Sequence, residues 1–367
     1  MARSRIQDVA AKAGVSKTAV SFAFNQPGRL NEATRDRILS AAEELGYRPS
    51  PIARRLAARR TDQIGLVVPQ PTHDVFANPF LPELLRGIGD VCDAEGIAVV
   101  IVPPVRGSLA RAVEGALVDG LILLGLAPNR PELELVRRSG LRVVALDVEA
   151  WSDADVIAID DAGGSKAAAE HLAQLGHRDV AVVLIAEHPD SPFDEQQGIS
   201  ARRMSGIRQG FGATGDADGR DAVRLRVIST TVSEEGGRAA FHMLQADSLP
   251  TAVLTMSDIT AIGFMSAAID GGCRVPEDLS VVGYDDIPAA AWTSPRLTTV
   301  HQPIREKGRL AARRLIDGIR SRGAQGPATE VLPTRLVVRG STAAVRAPSG
   351  PPIGPAAPGG GGAAAAS

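Results

Sequence analysis

From Ile64 onward, short apolar runs alternate with amphipathic segments, and that alternation predicts an α/β protein with parallel sheets covered by helices on both faces. Residues 1–60 read differently, as short helices carrying a surplus of basic side chains. At 367 residues the chain is long enough for two or three domains with cores of their own. The fold class expected is therefore an all-α helix-turn-helix head ahead of an α/β core with two sheet layers.

The head comes first. Ile6, Val9, Ala10 and Ala13 recur at helical spacing, and Gly14 ends that helix because glycine tolerates the left-handed conformation. Ser16 is placed to cap a second helix reaching about Asn25, and Asn31 or its neighbour starts a third, Glu32 to Leu45, closed by Gly46. Two short helices across a glycine-containing turn make a helix-turn-helix, and the third covers their apolar faces. Residues 1–60 hold twelve Lys or Arg against five Asp or Glu, which leaves −9 on the rest of a chain whose net charge is −2. A basic head on an acidic body suits phosphate binding by the head alone, with a solvated charged surface as the plainer alternative. In such heads the start of the second helix reaches base edges in the major groove. Lys17 can donate to guanine, while Thr18 and Phe22 can touch a thymine methyl. Ser16, Ser21 and Asn25 suit phosphate oxygens. Core packing is the alternative for Phe22, since the helix also needs an inward face.

Arg48-Pro49-Ser50-Pro51 then interrupts any continuous helix. Ser50 and Pro51 can open a further short helix, Ile52 to about Ala58, carrying Arg54, Arg55, Arg59 and Arg60 and too short to be stable alone in water. Strands are expected at Ile64–Val68, Ala98–Val102, Gly120–Leu124, Arg142–Leu146, Val156–Ile159, Val180–Ile185, Ala222–Val227, Ala252–Thr255 and Leu279–Val282. Helices are expected at Leu81–Glu95, Ser165–Leu175, Ser233–Gln245, Asp258–Asp270 and Ile304–Ile319. Pro348 to Ser367 is almost entirely Pro, Gly and Ala, so residues 346–367 are expected to form a disordered tail.

Several function classes fall away. No apolar run is long enough to span a bilayer and no signal-like segment opens the chain, so a soluble cytoplasmic protein without membrane partners is expected. Cys92 and Cys273 are isolated, which argues against a disulfide framework or a zinc site and suggests two buried packing residues. The first strand leads into Pro69-Gln70-Pro71-Thr72 instead of a glycine-rich dinucleotide turn, and Ala162-Gly163-Gly164-Ser165-Lys166 lacks phosphate-loop spacing. Neither a cofactor, a metal nor a catalytic constellation is called for, and the expectation is a non-enzyme.

The stretches Ile6-Gln7-Asp8-Val9-Ala10, Ala13-Gly14-Val15-Ser16, Glu43-Glu44-Leu45-Gly46-Tyr47-Arg48-Pro49, Glu170-His171-Leu172, Leu175-Gly176-His177, Arg274 through Pro288, and Leu297-Thr298-Thr299-Val300 occur in an order and spacing that resemble the LacI/GalR family over residues 5–345. The resemblance implies a transcriptional regulator, most often a repressor, that binds near-palindromic operator DNA as a homodimer, a tetramer also being compatible. It implies a core similar to periplasmic binding proteins, in which two subdomains are interleaved and the chain crosses three times: near Asp160, within Pro288–Pro295, and near residue 325. The corresponding boundaries are 1–48 for the head, 49–61 for a hinge, and 62–345 for the core. Within the core, 62–160 with 292–324 would form one subdomain and 161–291 with 325–345 the other. By the same resemblance Leu56 would wedge into the minor groove while small Ala53 lets the backbone lie close, packing of Leu56 on the core being the alternative.

An effector would sit beyond the carboxyl ends of the strands, between the subdomains. Phe80, Asp147, Asp160 and Asp285 lie at such ends, and Arg203 matches a family arginine that contacts ligand. Ser257 stands where Asn is common, and Thr231 where many members have an aromatic. An arginine with several carboxylates suits a sugar or sugar derivative, although Asp at a strand end is often only a helix cap. A solute-binding protein or a sugar-modifying enzyme on the same core is the competing reading.

Overall fold

The computed structural model describes residues 4–25, 27–47, 60–126, 133–148, 151–185, 198–212, 222–321 and 326–345. Ala53 and Leu56 with their hinge helix, and the tail, lie outside the described residues. In the head, α1 (Ile6–Ala13) stops at Gly14, whose φ is +63°. α2 (Lys17–Asn25) starts where the Ser16 hydroxyl accepts from the Ala19 amide at 3.1 Å, and α3 (Glu32–Glu44) where the Asn31 side chain accepts from the Thr34 amide at 2.8 Å. These caps satisfy amides that a helix start leaves without partners. Val9, Ala10, Ala13, Val20, Ala23, Ile38, Ala41 and Ala42 form the buried centre, and Phe24 and Tyr47, whose ring centres are 6.0 Å apart, pack against it.

Among the described residues the core contains two six-stranded sheets. The first holds β1 (Gln63–Val67), β2 (Ala98–Val102), β3 (Gly120–Leu124), β4 (Arg142–Leu146), β5 (Asp155–Ile159) and β11 (Thr329–Leu332), in the order β11-β5-β4-β3-β1-β2. All its pairings are parallel. The second holds β6 (Asp179–Ile185), β7 (Arg224–Thr230), β8 (Ala252–Thr255), β9 (Ser280–Asp285), β10 (Thr298–His301) and β12 (Arg335–Val337), in the order β12-β10-β9-β8-β6-β7. There β12 alone runs antiparallel to its neighbour.

Helices intervene in chain order: α4 (Thr72–Ala77), α5 (Phe80–Glu95), α6 (Leu109–Gly115), α7 (Leu133–Ser139), α8 (Asp161–Gln174), α9 (Ile199–Gly212), α10 (Glu234–Asp247), α11 (Asp258–Asp270) and α12 (Ile304–Ser321). α5 and α12 approach until only glycine fits between them: a Cβ on Gly87 would lie 2.0 Å from the Arg305 carbonyl oxygen. Among the described residues no helix is long and apolar enough to cross a membrane.

The chain crosses from the first sheet after β5, at Asp160, and the other two crossings lie elsewhere than the resemblance implied. Thr298–His301 pairs with β9 in the second sheet and Thr329–Leu332 with β5 in the first. The chain therefore crosses at Gln302–Pro303 and at Pro333–Thr334, so residues 292–301 belong with the second subdomain and 326–332 with the first. Pro288 opens a short 3-10 helix, Pro288–Ala291, and neither it nor Pro295 dictates which sheet the chain joins. The buried β-branched run Thr298-Thr299-Val300 does, by packing beside β9. The seventh strand is also shifted, because Ser229 and Thr230 continue the ladder against Leu184 and Ile185. Cys92 is buried as expected, but Cys273 is only partly so.

Candidate DNA-reading head and ligand cleft

At the head, α2 turns Val20 and Ala23 inward and leaves Ser16, Lys17 and Thr18 exposed, with Ser21 half-buried. Phe22 is half-buried but outside the core cluster, which takes Phe24 instead. The guanidinium of Arg29 lies 5.2 Å from the Phe22 ring centre, a cation over an aromatic face. Asn25 closes α2. Lys17, Thr18 and Phe22 thus line one side of a short helix whose opposite side is anchored.

In the core, the carboxyl ends of β4 and β9 face each other across the subdomains, and a buried polar network joins them. Lys307 on α12 is fully buried; its ammonium donates to the Asp147 carboxylate at 2.6 Å and to the Gln302 side-chain oxygen at 2.8 Å. The Gln302 amide in turn donates to Asp285 at 2.6 Å. The Phe80 ring centre lies 4.9 Å from the Lys307 ammonium. From the second subdomain, Asp161 at the start of α8 accepts from Arg203 at 2.8 Å and from Arg202 at 2.8 Å. Arg202 also reaches across to the Asp147 backbone carbonyl at 3.1 Å. Arg203 donates to the Met256 carbonyl and stacks its guanidinium 3.4 Å from the Tyr284 ring centre.

Asp147 and Asp285 hold positive φ angles, +58° and +119°. Such backbone costs about 1–3 kcal/mol per residue and persists only where the surroundings enforce it. Burial pushes the Asp285 carboxyl up to about 6, with Asp147 adding to the rise and Arg203, Gln302 and Lys307 opposing it. Burial works against the charge on Arg203, yet Asp161, Tyr284 and Asp285 hold it firmly protonated. Burial likewise raises the Tyr284 phenol. Asp258, raised mainly by its own burial and next by Asp285, accepts from Thr299 and from the Ile287 amide and so fixes the turn after β9. Space beside Tyr284 and Met256 amounts to about 10 Å³. A cavity of about 300 Å³, bounded by Thr61 and Leu117, lies away from these groups.

Residues 5–50 match the family model for bacterial regulatory proteins of the lacI family, and residues 169–342 match that for a periplasmic binding protein-like domain. The HTH-type transcriptional regulator CelR of Thermobifida fusca is 32% identical over 351 residues, spanning 92% of this chain and 98% of its own. The chain belongs to the lacI family of bacterial regulatory proteins. The HTH-type transcriptional repressor PurR of Photobacterium profundum is 30% identical, covering 92% of this chain and 98% of its own. Among solved structures, a CelR–cellobiose complex superposes with a TM-score of 0.65 at 30% identity, covering 92% of this chain and all of its own. The lac repressor dimer bound to operator and the anti-inducer ONPF gives 0.72 at 26% identity, covering 94% and all. Membership makes the chain a helix-turn-helix transcriptional regulator with a periplasmic-binding-protein-like core.

Within that lacI-family core, the sequence-named residues Phe80, Asp147, Arg203 and Asp285 come together. Asp160 does not join them: it is exposed and caps α8, accepting from the Gly163 amide at 2.8 Å. Ser257 is buried but caps α11 through the Thr260 amide at 3.3 Å, and exposed Thr231 bonds to the Ser233 hydroxyl at 3.2 Å. Sequence reasoning missed Asp161, Arg202, Tyr284, Gln302 and Lys307. A signal existed only for Lys307, a charge set in the apolar stripe Ile304, Gly308, Ala311 and Leu315 of a strongly amphipathic helix.

Proposed function

We propose that this regulator represses transcription by binding a near-palindromic operator as a homodimer, and that a polyhydroxylated effector binding between its two sheets modulates that affinity. The observation that carries the proposal is the head itself: Lys17 and Thr18 stand exposed at the start of a helix held from behind by Val20 and Ala23. That is the geometry by which a recognition helix enters the major groove. Lys17, Thr18 and Phe22 read bases, and Ser16, Ser21 and Asn25 fix register on phosphates. Ala53 and Leu56 form the hinge contact in the minor groove. CelR with cellobiose, and an Enterococcus faecium relative of 28% identity with ribose, support a sugar-like effector. Phe80, Asp147, Arg203 and Asp285 are its first contacts, with Asp160, Thr231 and Ser257 at the margin.

Genome-wide footprinting of the full chain, with and without candidate sugars, tests this. Protected sites with two-fold symmetry, lost or gained when a sugar is added, are expected. Sites without such symmetry would defeat the dimer reading, and indifference to every sugar would defeat the effector reading.

A further inference from the structure

The first subdomain carries a second hollow, at the end of its sheet opposite the cleft. Thr61, Val118 and Leu141 in its wall directly precede or adjoin the starts of β1, β3 and β4. Those strands are parallel, so the hollow lies at their amino ends while Asp147 and the cleft lie at their carboxyl ends. Val113 on α6 and Leu135 on α7 make the rest of the lining largely apolar. Val113 and Val118 are buried, whereas Leu117 at the rim is 77% exposed. The volume of about 300 Å³ is that of about ten water molecules, room for the side chains of one isoleucine and one leucine.

The chain itself leads to this hollow. Thr61 donates from its amide and its hydroxyl to one oxygen of Asp119, at 2.7 and 2.9 Å, and the Asp62 amide donates to the other at 2.8 Å. Asp62 holds a φ of +52°, a backbone that a residue other than glycine keeps only where its surroundings enforce it. The chain is thus pinned at the rim just where it arrives from residues 52–60. That stretch lies outside the described residues and reads Ile52-Ala53-Arg54-Arg55-Leu56-Ala57-Ala58-Arg59-Arg60. Its two large apolar residues, Ile52 and Leu56, are four apart, a spacing that brings side chains together on a helix. Leu56 is five residues from Thr61, so it stays within about 18 Å of that anchor however the chain runs. A tether so short supplies an effective concentration on the order of millimolar, and even a weak contact is then populated.

We propose that this hollow is a berth for residues 52–58 of the same chain: away from DNA, Ile52 and Leu56 lie against Leu117, Leu135 and Leu141, and operator DNA must draw Leu56 out. The berth follows from the apolar lining, the exposed leucine at its rim and the pinned chain beside it. Its competition with DNA rests, in addition, on the reading of Leu56 as the minor-groove contact. A chain with Leu56 in the berth is not ready to bind, and operator affinity falls by the fraction so held.

Cysteine cross-linking of the full chain without DNA tests the berth. Cys273→Ser removes the partly exposed thiol, and buried Cys92 stays. Ala57→Cys is paired with Glu114→Cys, an exposed position beside the hollow, and the pair is oxidised with copper phenanthroline. A disulfide within one chain is expected, formed about 10-fold or more faster than in a control pairing Ala57→Cys with Val331→Cys, an exposed site on β11. Adding Leu56→Ser or Leu117→Ser should slow it by about 5-fold or more, since each removes a leucine from the contact; a segment merely tethered nearby would react at an unchanged rate. Leu117 is mostly exposed, so Leu117→Ser should leave the unfolding of the core, reported by buried Trp151, where it was. A rate indifferent to both serine substitutions overturns the proposal, and so do cross-links that join two chains, which would name a second copy as the occupant. On operator fragments recovered by footprinting, Leu117→Ser with the native hinge should bind about 3-fold or more tightly than the parent chain. If cross-linking slows as expected and that affinity does not change, the berth stands and the minor-groove reading of Leu56 falls.

Discussion

The head and the cleft are held by different kinds of bond. In the head, the Ser16 and Asn31 caps each span three residues of chain and lie at the surface. In the cleft, Lys307 and Asp147 are 160 residues apart and Arg202 and Asp161 are 41 apart, with Lys307, Asp147 and Asp161 buried and Arg202 half-buried. A surface cap contributes about 1 kcal/mol and its loss leaves groups that water can satisfy. Removing one partner from a buried pair strands the other charge and costs several times as much. The regulator therefore combines a reader whose parts fail singly and mildly with a sensing region whose parts fail together.

Asp161→Ala presses hardest on that contrast. Asp161 is 1% exposed and the shared ionic partner of Arg202 and Arg203, so its removal is expected to destabilise the core by about 3–5 kcal/mol. Both tryptophans lie outside the head, and buried Trp151 reports core unfolding in urea by its fluorescence, while exposed Trp292 changes little. A loss under about 1 kcal/mol would mean that solvent reaches the two guanidiniums and that the cleft is not a dry network. Hydrogen exchange over residues 4–47 should be unchanged.

The same contrast explains what was legible beforehand. Head elements followed from local grammar: apolar spacing, Gly14, Ser16, Asn31 and Gly46 all act within a turn or two of their own positions. Strands β2, β3, β4 and β8 were equally plain as apolar runs. α9 was not expected; it carries Gly206, Gly210 and Gly212, residues that weaken a helical pattern. Gly206 is there because a Cβ would lie 2.1 Å from the Ala162 carbonyl on α8, a contact with no local signature. Missing α9 hid Arg202, whose neighbour Arg203 was found only through resemblance. At the start of α8, the exposed cap Asp160 was singled out and the buried pair-former Asp161 passed over, because adjacent aspartates differ only in which way the helix turns them. Gln302 became visible only once β10 joined the second sheet and placed the crossing there.

Proton counting sharpens the comparison next. Asp285 has its carboxyl raised to about 6 in the fold, against an ordinary value near 3.9 when unfolded. Between those values the folded state binds more protons than the unfolded one, so this group lowers stability as pH rises from about 4 to 6, with little further change above. Buried Asp258, raised as well, acts in the same direction. Asp285→Asn removes its own share and leaves a side-chain oxygen to accept from Gln302. Relative to the parent chain, its core urea midpoint should therefore be higher at pH 7 than at pH 4.5. An offset independent of pH would show that Arg203 and Lys307 hold the carboxylate ionised throughout.

The smallest expected effect tests the head alone. Asn31 accepts from the Thr34 amide at 2.8 Å and so anchors the start of α3, whose Ile38, Ala41 and Ala42 close the apolar centre. Asn31→Ala removes that acceptor and is expected to cost about 1 kcal/mol. So small a domain has little stability in reserve, and the head's thermal midpoint should fall by about 5 °C or more. Hydrogen exchange over residues 4–47 would record the change, while Asn31→Asp, which keeps an acceptor and adds a negative charge at a helix start, should restore protection. The tryptophan-reported core transition should stay where it was. If it moved with the head, head and core would unfold as one unit, and the division between a locally capped reader and a long-range charged cleft would describe bonding without describing cooperativity.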